Sequence, residues 1–353
     1  MPLAIEKRIE VFAELGNFLQ LLVSGKKEEI SSKVQLSWDS DFEKVLSKSS
    51  DTNQWFTTDF IKYALKSIAS SLQESNLRKW LGAYPHLLNN HQGKHIGVIM
   101  AGNIPFVGFH DFISVLITGN YFVGKPSSKE GELMKMIADI LTNIEPGYKN
   151  YISFNHSALT NIDALIATGS DNSSRYFDYN YKNIPSLIRK NRNGVAILSG
   201  SESTAELEEL GKDIFIYFGL GCRNISKLFV PEHYDFNSLF QAFHEFKDII
   251  LHPLYANNYR YQLAISKTEK LPFKDTGFMI VKESFQTASP IATLYYQYYR
   301  SKEELNSHLD YDRNRIQCIV GNYPGWISFG NAQGPELWDY ADDVDIIEFL
   351  KLL

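Results

Sequence analysis

Short apolar runs alternate with helix-length segments from His95 onward, and this alternation restricts the folds open to the chain. Strand-length runs are HIGVIMAG, YFVGKPSS, residues 163–167 and a shorter stretch at 151–154. Segments of helical length separate them, at 103–120, 129–143 and 175–182. Buried strands that alternate with helices predict a parallel sheet covered on both faces. Ligands gather at the carboxyl ends of such strands, and the strand ends here read AGN, GKPSS and ATGS.

The alternation begins again after Pro185, which predicts a second α/β unit. GVAILSG indicates a strand, the spacing of apolar residues over 205–218 indicates a buried helix face, and ISKLFV indicates the next strand. Further helices are predicted at 236–248 and 254–264, and further strands at 277–281, 290–297 and 316–320. We therefore expect an α/β fold in two domains, 1–192 and 193–345, followed by a C-terminal helix at 346–353.

The first domain is expected to begin with a helical segment. Apolar residues recur every three or four positions from Ile5 to Leu22, and further helical stretches follow at about 28–48 and 58–83. Thr57, directly before Thr58 and Asp59, provides a helix start for the last of these. A packing and scaffold role is expected for this segment.

Composition excludes several classes of protein. The 353 residues are 44% hydrophobic and carry a net charge of −6, without a dense basic run, so no nucleic-acid partner is expected. Two cysteines provide no disulfide framework, which favours a reducing compartment. The N-terminal stretch MPLAIEKRIEVF carries charges within its apolar pattern, so we expect neither a signal peptide nor a membrane span. A cytoplasmic protein is the expectation, and no histidine shares a metal-ligand spacing with cysteines or carboxylates.

Cys222 lies at a glycine-rich break between the predicted helix and the strand ISKLFV. Gly219 and Gly221 precede it, so no large side chain crowds its sulfur, and Arg223 beside it would favour the thiolate. From these residues alone, a nucleophile and a small buried hydrophobic side chain both remain open. Cys318, inside the apolar run IQCIVG, is expected to be buried and inert.

Five short motifs, taken in order, resemble those of the aldehyde dehydrogenase superfamily. AGNIP resembles the strand end of that family that carries an asparagine before a Phe-Pro pair. VGKPSS resembles its Lys-Pro-Ser-Glu segment, and ATGS resembles its Thr-Gly-Ser turn. GLGCRN falls where that family has Gly-Gln-x-Cys, and KESF resembles its Glu-x-Phe-Gly-Pro segment. Within the superfamily the chain is most similar to the acyl-CoA reductase branch, the LuxC-type fatty acyl-CoA reductases, over roughly residues 90–330.

The resemblance implies roles for Cys222 and Asn103, and the position of His110 one helical face from Asn103 indicates a third role. Cys222 would attack a thioester carbonyl and form an acyl-enzyme, and Asn103 would donate its side-chain amide to the oxyanion, together with the backbone N–H of Cys222. A cap of the following helix is the alternative for Asn103. His110 would approach the cleft as a proton donor, with a core or surface histidine as the alternative. Residues 329–335, FGNAQGP, would form a loop over the substrate channel.

The resemblance also implies a nicotinamide cofactor, bound by the first domain, while the second domain is catalytic. The residues that would hold it are Lys125, Ser128, Gly169, Ser170, Glu283 and Phe285. Ser128 stands where NAD-preferring relatives often have glutamate, and with Lys125 it would accept a ribose 2′-phosphate. NADPH is therefore expected, with NADH as the alternative because Glu130 lies nearby. The chain has no G-x-G-x-x-G motif, which argues against an ordinary Rossmann dehydrogenase.

One departure from the family bears on the reaction. Hydrolytic aldehyde dehydrogenases carry a glutamate that activates water, and its position falls near Arg189, with no carboxylate between Asp178 and Glu202. Without a base, hydrolysis of an acyl-enzyme would be slow. The expected activity is NADPH-dependent reduction of a fatty acyl-CoA thioester to the aldehyde. A non-acylating aldehyde dehydrogenase and a non-catalytic nucleotide-binding or partner protein are the alternatives. A homodimer and an acyl-donating partner enzyme are compatible with this expectation.

Overall fold

The computed structural model describes residues 3–25, 38–88, 93–130, 132–169 and 171–353. The chain forms two compact units, the first of Met1–Lys190 with Glu336–Leu353, and the second of Asn191–Pro335. Within the described ranges, none of the helices combines the length and the apolar character needed to cross a membrane.

The first unit contains a five-stranded parallel sheet with strand order β3-β2-β1-β4-β5. Its strands are β1 His95–Ile99, β2 Tyr121–Lys125, β3 Ile152–Phe154, β4 Ala164–Thr168 and β5 Ser186–Arg189. Its helices are α1 Ile5–Ser24, α2 Trp38–Thr52, α3 Thr58–Ser71, α4 Glu74–Gly82, α5 Phe109–Ile117, α6 Leu133–Ile144, α7 Asp171–Asn180 and, from the C-terminal segment, α12 Ile346–Lys351. Every side chain from Ala164 to Ala167 is buried, as expected for a strand covered on both faces.

The N-terminal helices form a layer that is tied to the sheet-covering helices. Thr57 caps α3 by accepting a hydrogen bond from the backbone N–H of Phe60, which confirms the predicted helix start. Arg8 of α1 is buried and donates to the carbonyl of Ile117 at 2.6 Å, so the first helix is fixed to the end of α5. The turn after α5 needs Gly119, which adopts φ +86°.

The second unit contains a six-stranded sheet with strand order β11-β6-β7-β10-β9-β8, parallel except for β8. Its strands are β6 Asn193–Ile197, β7 Ile225–Pro231, β8 Phe273–Asp275, β9 Ile280–Glu283, β10 Thr293–Tyr299 and β11 Ile316–Val320. Its helices are α8 Thr204–Phe215, α9 Phe236–Phe243, α10 Pro253–Glu269 and α11 Lys302–Asp312. The central strand β7 is buried from Ile225 to Val230.

Four elements and one domain boundary differ from the sequence-based prediction. The predicted helix at 205–218 ends at Phe215, because Tyr217 and Phe218 adopt φ near +57° and leave the helical path. Strands β5 and β8 and helix α11 were not predicted. Residues 336–345, predicted to continue the 193–345 domain, belong to the first unit. There Tyr340 accepts a hydrogen bond from the indole of Trp80 and meets the hydroxyl of Tyr84, each at 2.6 Å.

Candidate active site

Cys222 lies in a short turn between α8 and β7, at the glycine-rich break that the sequence indicated. After the left-handed residues Tyr217 and Phe218, Gly219 continues at φ +77°. The turn itself is closed by a backbone hydrogen bond of 3.1 Å from the N–H of Asn224 to the carbonyl of Gly221. Cys222 is half-buried within it. The nucleophile candidate is therefore carried by main chain whose conformation is fixed from both sides.

Asn224 holds this turn and was missed by the sequence analysis. Its Oδ1 accepts from the N–H of Gly221 at 2.7 Å, and its Nδ2 donates to the carbonyls of Asp213, Ile214 and Ile216 at 2.8 to 3.3 Å. Because those carbonyls end helix α8, one buried amide joins the helix terminus to the cysteine turn. The sequence signal that could have indicated Asn224 is a polar residue directly before a predicted buried strand.

The segment 329–335 is attached directly beside the cysteine turn. Arg223 donates from Nε to the carbonyl of Ala332 at 2.6 Å. The carboxylate of Asp213 accepts from the N–H groups of Gly330 and Ala332 at 2.7 and 2.8 Å. Burial raises the pKa of Asp213 to about 7, although the two backbone donors act in the opposite direction. The side chain of Arg223 therefore positions the segment 329–335, in addition to the stabilisation of the Cys222 thiolate expected from the sequence.

Glu283 and Phe285 lie at the carboxyl end of β9 in the same unit. Glu283 is the last residue of the strand and is exposed, and the ring of Phe285 is 77% exposed. The N–H of Ser284 donates to the carbonyl of Tyr296 at 3.0 Å. Both predicted cofactor contacts are thus accessible at a strand end, where ligands of parallel sheets bind.

The first unit brings the ends of β2, β1, β4 and β5 side by side. The chain after β1 approaches the chain after β2 so closely that a Cβ on Gly102 would lie 2.5 Å from Oγ of Ser127. Asn103 follows in the turn before α5, whose N-cap is Gly108, five residues further on. The helix-cap alternative for Asn103 is therefore wrong, because the intervening chain is not helical.

The predicted cofactor residues of this unit occupy the same edge. Lys125 ends β2 and is partly exposed, Ser128 is exposed, and Gly169 follows β4. Ser170 lies outside the described residues. Glu130 is fully buried, and burial raises the pKa of its carboxyl to about 8. Glu130 therefore presents no surface carboxylate beside Ser128.

His110 is enclosed by aromatic side chains of the first unit. Its ring lies 5.9 Å from that of Trp80 and 5.8 Å from that of Tyr340, and Nε2 donates to the carbonyl of Leu337 at 2.9 Å. Burial lowers its pKa, which keeps the ring neutral with its proton on Nε2. In this tautomer Nδ1 carries no proton, so a proton-donor role for His110 is not part of the function proposed below.

A buried ion pair contains Arg189, the residue near which the family resemblance places the water-activating glutamate. Arg189 ends β5, and its guanidinium donates to Oδ1 of Asp111 on α5 at 2.6 Å. Both side chains are more than 90% buried. Arg189 also accepts, through its carbonyl, a hydrogen bond of 3.4 Å from the N–H of Gly169. A cation bound to a carboxylate here has no capacity to remove a proton from water.

Comparison with known proteins identifies the fold. No protein-family model matches the chain, and no curated protein matches it in sequence. An oxidoreductase from Marinobacter aquaeolei superposes with a TM-score of 0.63 at 12% identity, covering 92% of this chain and 75% of its own. The aldehyde dehydrogenase KauB from Pseudomonas aeruginosa gives 0.61 at 15% identity, over 92% and 72%. The NAD+ complex of an aldehyde dehydrogenase from Bacillus cereus gives 0.59 at 13% identity, over 92% and 72%.

Proposed function

Since the chain has an aldehyde-dehydrogenase-like fold, we propose that it reduces an acyl-CoA thioester to an aldehyde through an acyl-Cys222 intermediate. The observation that carries this choice of reaction is the Arg189–Asp111 pair. A hydrolytic enzyme needs a base to activate water against its acyl-enzyme. By the family resemblance that base would fall near Arg189, which is a cation paired with Asp111, and this supports a reaction in which the acyl group is left for hydride or for CoA.

The first half-reaction uses Cys222 and Asn103. The Cys222 thiolate attacks the thioester carbonyl carbon, and the tetrahedral intermediate expels CoA as a thiolate that takes a proton from solvent. The side-chain amide of Asn103 and the backbone N–H of Cys222 donate to the oxyanion. One such donor typically contributes about 3 kcal/mol to the transition state. The Asn224 network fixes the turn that carries the N–H of Cys222.

The chain's own residues fit a nicotinamide dinucleotide. Lys125 and Ser128 would hold the adenosine ribose, Gly169 would lie beside the pyrophosphate, and Glu283 and Phe285 would bind the nicotinamide half. We propose NADPH over NADH, because Ser128 is exposed three residues after Lys125 and Glu130 is buried, so Glu130 presents no carboxylate that would repel a 2′-phosphate. NADPH, when bound, supplies the hydride that reduces the acyl carbon. Cys222 then leaves as a thiolate when its C–S bond to the reduced carbon breaks, which releases the aldehyde.

Product analysis with a matched pair of cysteine variants tests this function. Wild-type protein supplied with a fatty acyl-CoA and NADPH should form the aldehyde and free CoA. Cys222→Ala should lose turnover while it still binds NADPH, whereas Cys318→Ala, which alters a buried thiol, should keep turnover. Full activity in Cys222→Ala would refute the covalent route.

The rival activity shares the fold and makes a different prediction. A non-acylating aldehyde dehydrogenase would oxidise an aldehyde to the carboxylic acid in the presence of NAD(P)+ and without CoA. Acid formation under these conditions, at a rate matching or exceeding thioester reduction, would replace the proposed function with this alternative. A Cys222 that reacts with iodoacetamide no faster than Cys318 would instead favour the non-catalytic alternative.

A further inference from the structure

Lys227 is a fully buried lysine in the middle of the second unit's sheet. Its side chain is 0% exposed on β7, between β6 and β10. The ammonium group donates to the carbonyl of Phe285 at 3.1 Å and lies 3.5 Å from Oδ2 of Asp312, which is also buried. Burial lowers the pKa of Lys227, while Asp312 opposes that change. An ion pair in this position stabilises a fold less than apolar side chains of the same volume commonly would.

A strand irregularity directs a second donor to the same segment. Gly194 of β6 lies opposite Ile225, and the next residue, Val195, lies opposite Lys227, so Ser226 is an extra residue in β7. In a regular strand, neighbouring side chains point to opposite faces. At this bulge the hydroxyl of Ser226 donates to the carbonyl of Thr287 at 2.7 Å. Two adjacent β7 side chains thus hold two carbonyls of the chain that follows Glu283.

The segment they hold has few other attachments at its start. Glu283 and Gln286 are exposed, and the ring of Phe285 is 77% exposed, so apolar burial does not fix this stretch of main chain. Glu283 pairs with Tyr296 in the β9–β10 ladder, and the N–H of Ser284 donates to the carbonyl of the same Tyr296. Beyond this ladder, the carbonyls of Phe285 and Thr287 are held by the donors from β7.

We propose that Lys227, assisted by Ser226, is a positioning residue for the nicotinamide nucleotide. By holding the carbonyl of Phe285, Lys227 sets where the Phe285 ring is presented to the nicotinamide half, beside the Glu283 carboxylate at the end of the β9 ladder. This inference rests on the proposed function, which assigns those two side chains to the cofactor. Asp312 balances the buried charge. The cysteine turn is held separately by Asn224, so Lys227 controls nucleotide binding and leaves the acylation of Cys222 unchanged.

The test measures NADPH binding and Cys222 acylation separately. In Lys227→Met, the dissociation constant for NADPH, measured by quenching of protein fluorescence, should rise on the order of tenfold or more, because a small misplacement of a positioning group has large effects. The rate of Cys222 acylation by acyl-CoA without nucleotide, measured by intact mass, should stay at the wild-type value. Lys282→Met is the matched control. Lys282 lies in β9 of the same sheet and pairs with Glu269 of helix α10. This variant should leave both quantities unchanged.

Two further variants keep the inference testable if Lys227→Met does not fold. Lys227→Met combined with Asp312→Asn leaves no unpaired buried charge, and Ser226→Ala removes only the second donor. Each should weaken NADPH binding selectively, the latter by less. Wild-type affinity for NADPH in the folded variants, or an equal loss of acylation and NADPH binding, would overturn the inference. Wild-type protein that binds NADPH without being acylated would overturn the proposed reaction, while the comparison of NADPH affinities still decides the role of Lys227.

Discussion

Replacing Asn224 with alanine should loosen the cysteine turn and slow acylation. The change leaves the N–H of Gly221 without its 2.7 Å acceptor and removes the amide that binds the carbonyls of Asp213, Ile214 and Ile216. A buried donor left unpaired costs about 1 to 3 kcal/mol. With the lost hydrogen bonds to the helix end, unfolding should become easier by about 2 to 4 kcal/mol in all. Because the same turn carries Cys222, acylation should slow on the order of tenfold to a hundredfold.

Two measurements on the same preparations check this prediction. Urea denaturation gives the free energy of unfolding, and intact mass after rapid mixing with acyl-CoA gives the acylation rate. Asn237→Ala is the matched control, because Asn237 is an exposed asparagine of the same unit, at the start of α9. It should change neither quantity. If Asn224→Ala kept both the wild-type stability and the wild-type acylation rate, the proposed role of this amide would be refuted.

Three further predictions concern the first unit. Burial raises the pKa of Glu130 from 4.5 to about 8, so the contribution of Glu130 to stability should be fully present below about pH 4.5 and be lost as the pH rises through about 8, by at most about 5 kcal/mol. Glu130→Gln should remove that decline, and urea denaturation at about pH 5 and about pH 9 compares the two proteins. Ser128→Glu should raise the KM for NADPH and leave that for NADH little changed, and an unaltered ratio would contradict the assignment of the ribose site. Arg189→Met should destabilise the fold by about 3 to 5 kcal/mol, because it leaves Asp111 buried and unpaired. Combining it with Asp111→Leu should restore most of that loss in thermal unfolding.

The sequence predicts the central buried strands and two of the four edge strands, β3 and β11, but misses the edge strands β5 and β8. Strands β1, β4 and β7 are mostly buried and mostly apolar, although β7 also contains Ser226 and Lys227. Strands β5 and β8 lie at sheet edges, and each is only three or four residues long with charged residues in it. Helix α11 was missed because only Leu305 and Asp312 are buried on it, so its apolar spacing is weak.

Long-range contacts explain the remaining differences. The three-and-four spacing of apolar residues continues to Phe218, although the helix ends at Phe215, because the side chain of Asn224 binds the terminal carbonyls from beyond the break. Likewise, no local pattern indicates that Tyr340 bonds to Trp80, 260 positions away.

Within the candidate site, the sequence located groups that stand at strand ends and overlooked those that hold them. Cys222 was found because glycines mark its turn, and Glu283 because KESF resembles a family motif. Lys227 was overlooked, although a lysine inside ISKLFV, a run predicted to be a buried strand, is a residue that needs a partner. Glu130 kept NADH as the alternative cofactor, because nothing in its local sequence indicates that it is buried.

The most direct test of the proposed function is the mass of the intact protein after mixing with a panel of acyl-CoAs in the absence of nucleotide. The account predicts an acyl adduct that peptide mapping places on Cys222, that Cys222→Ala lacks, and that disappears with release of aldehyde when NADPH is added. Folded, reduced protein that forms no adduct with any chain length would contradict it.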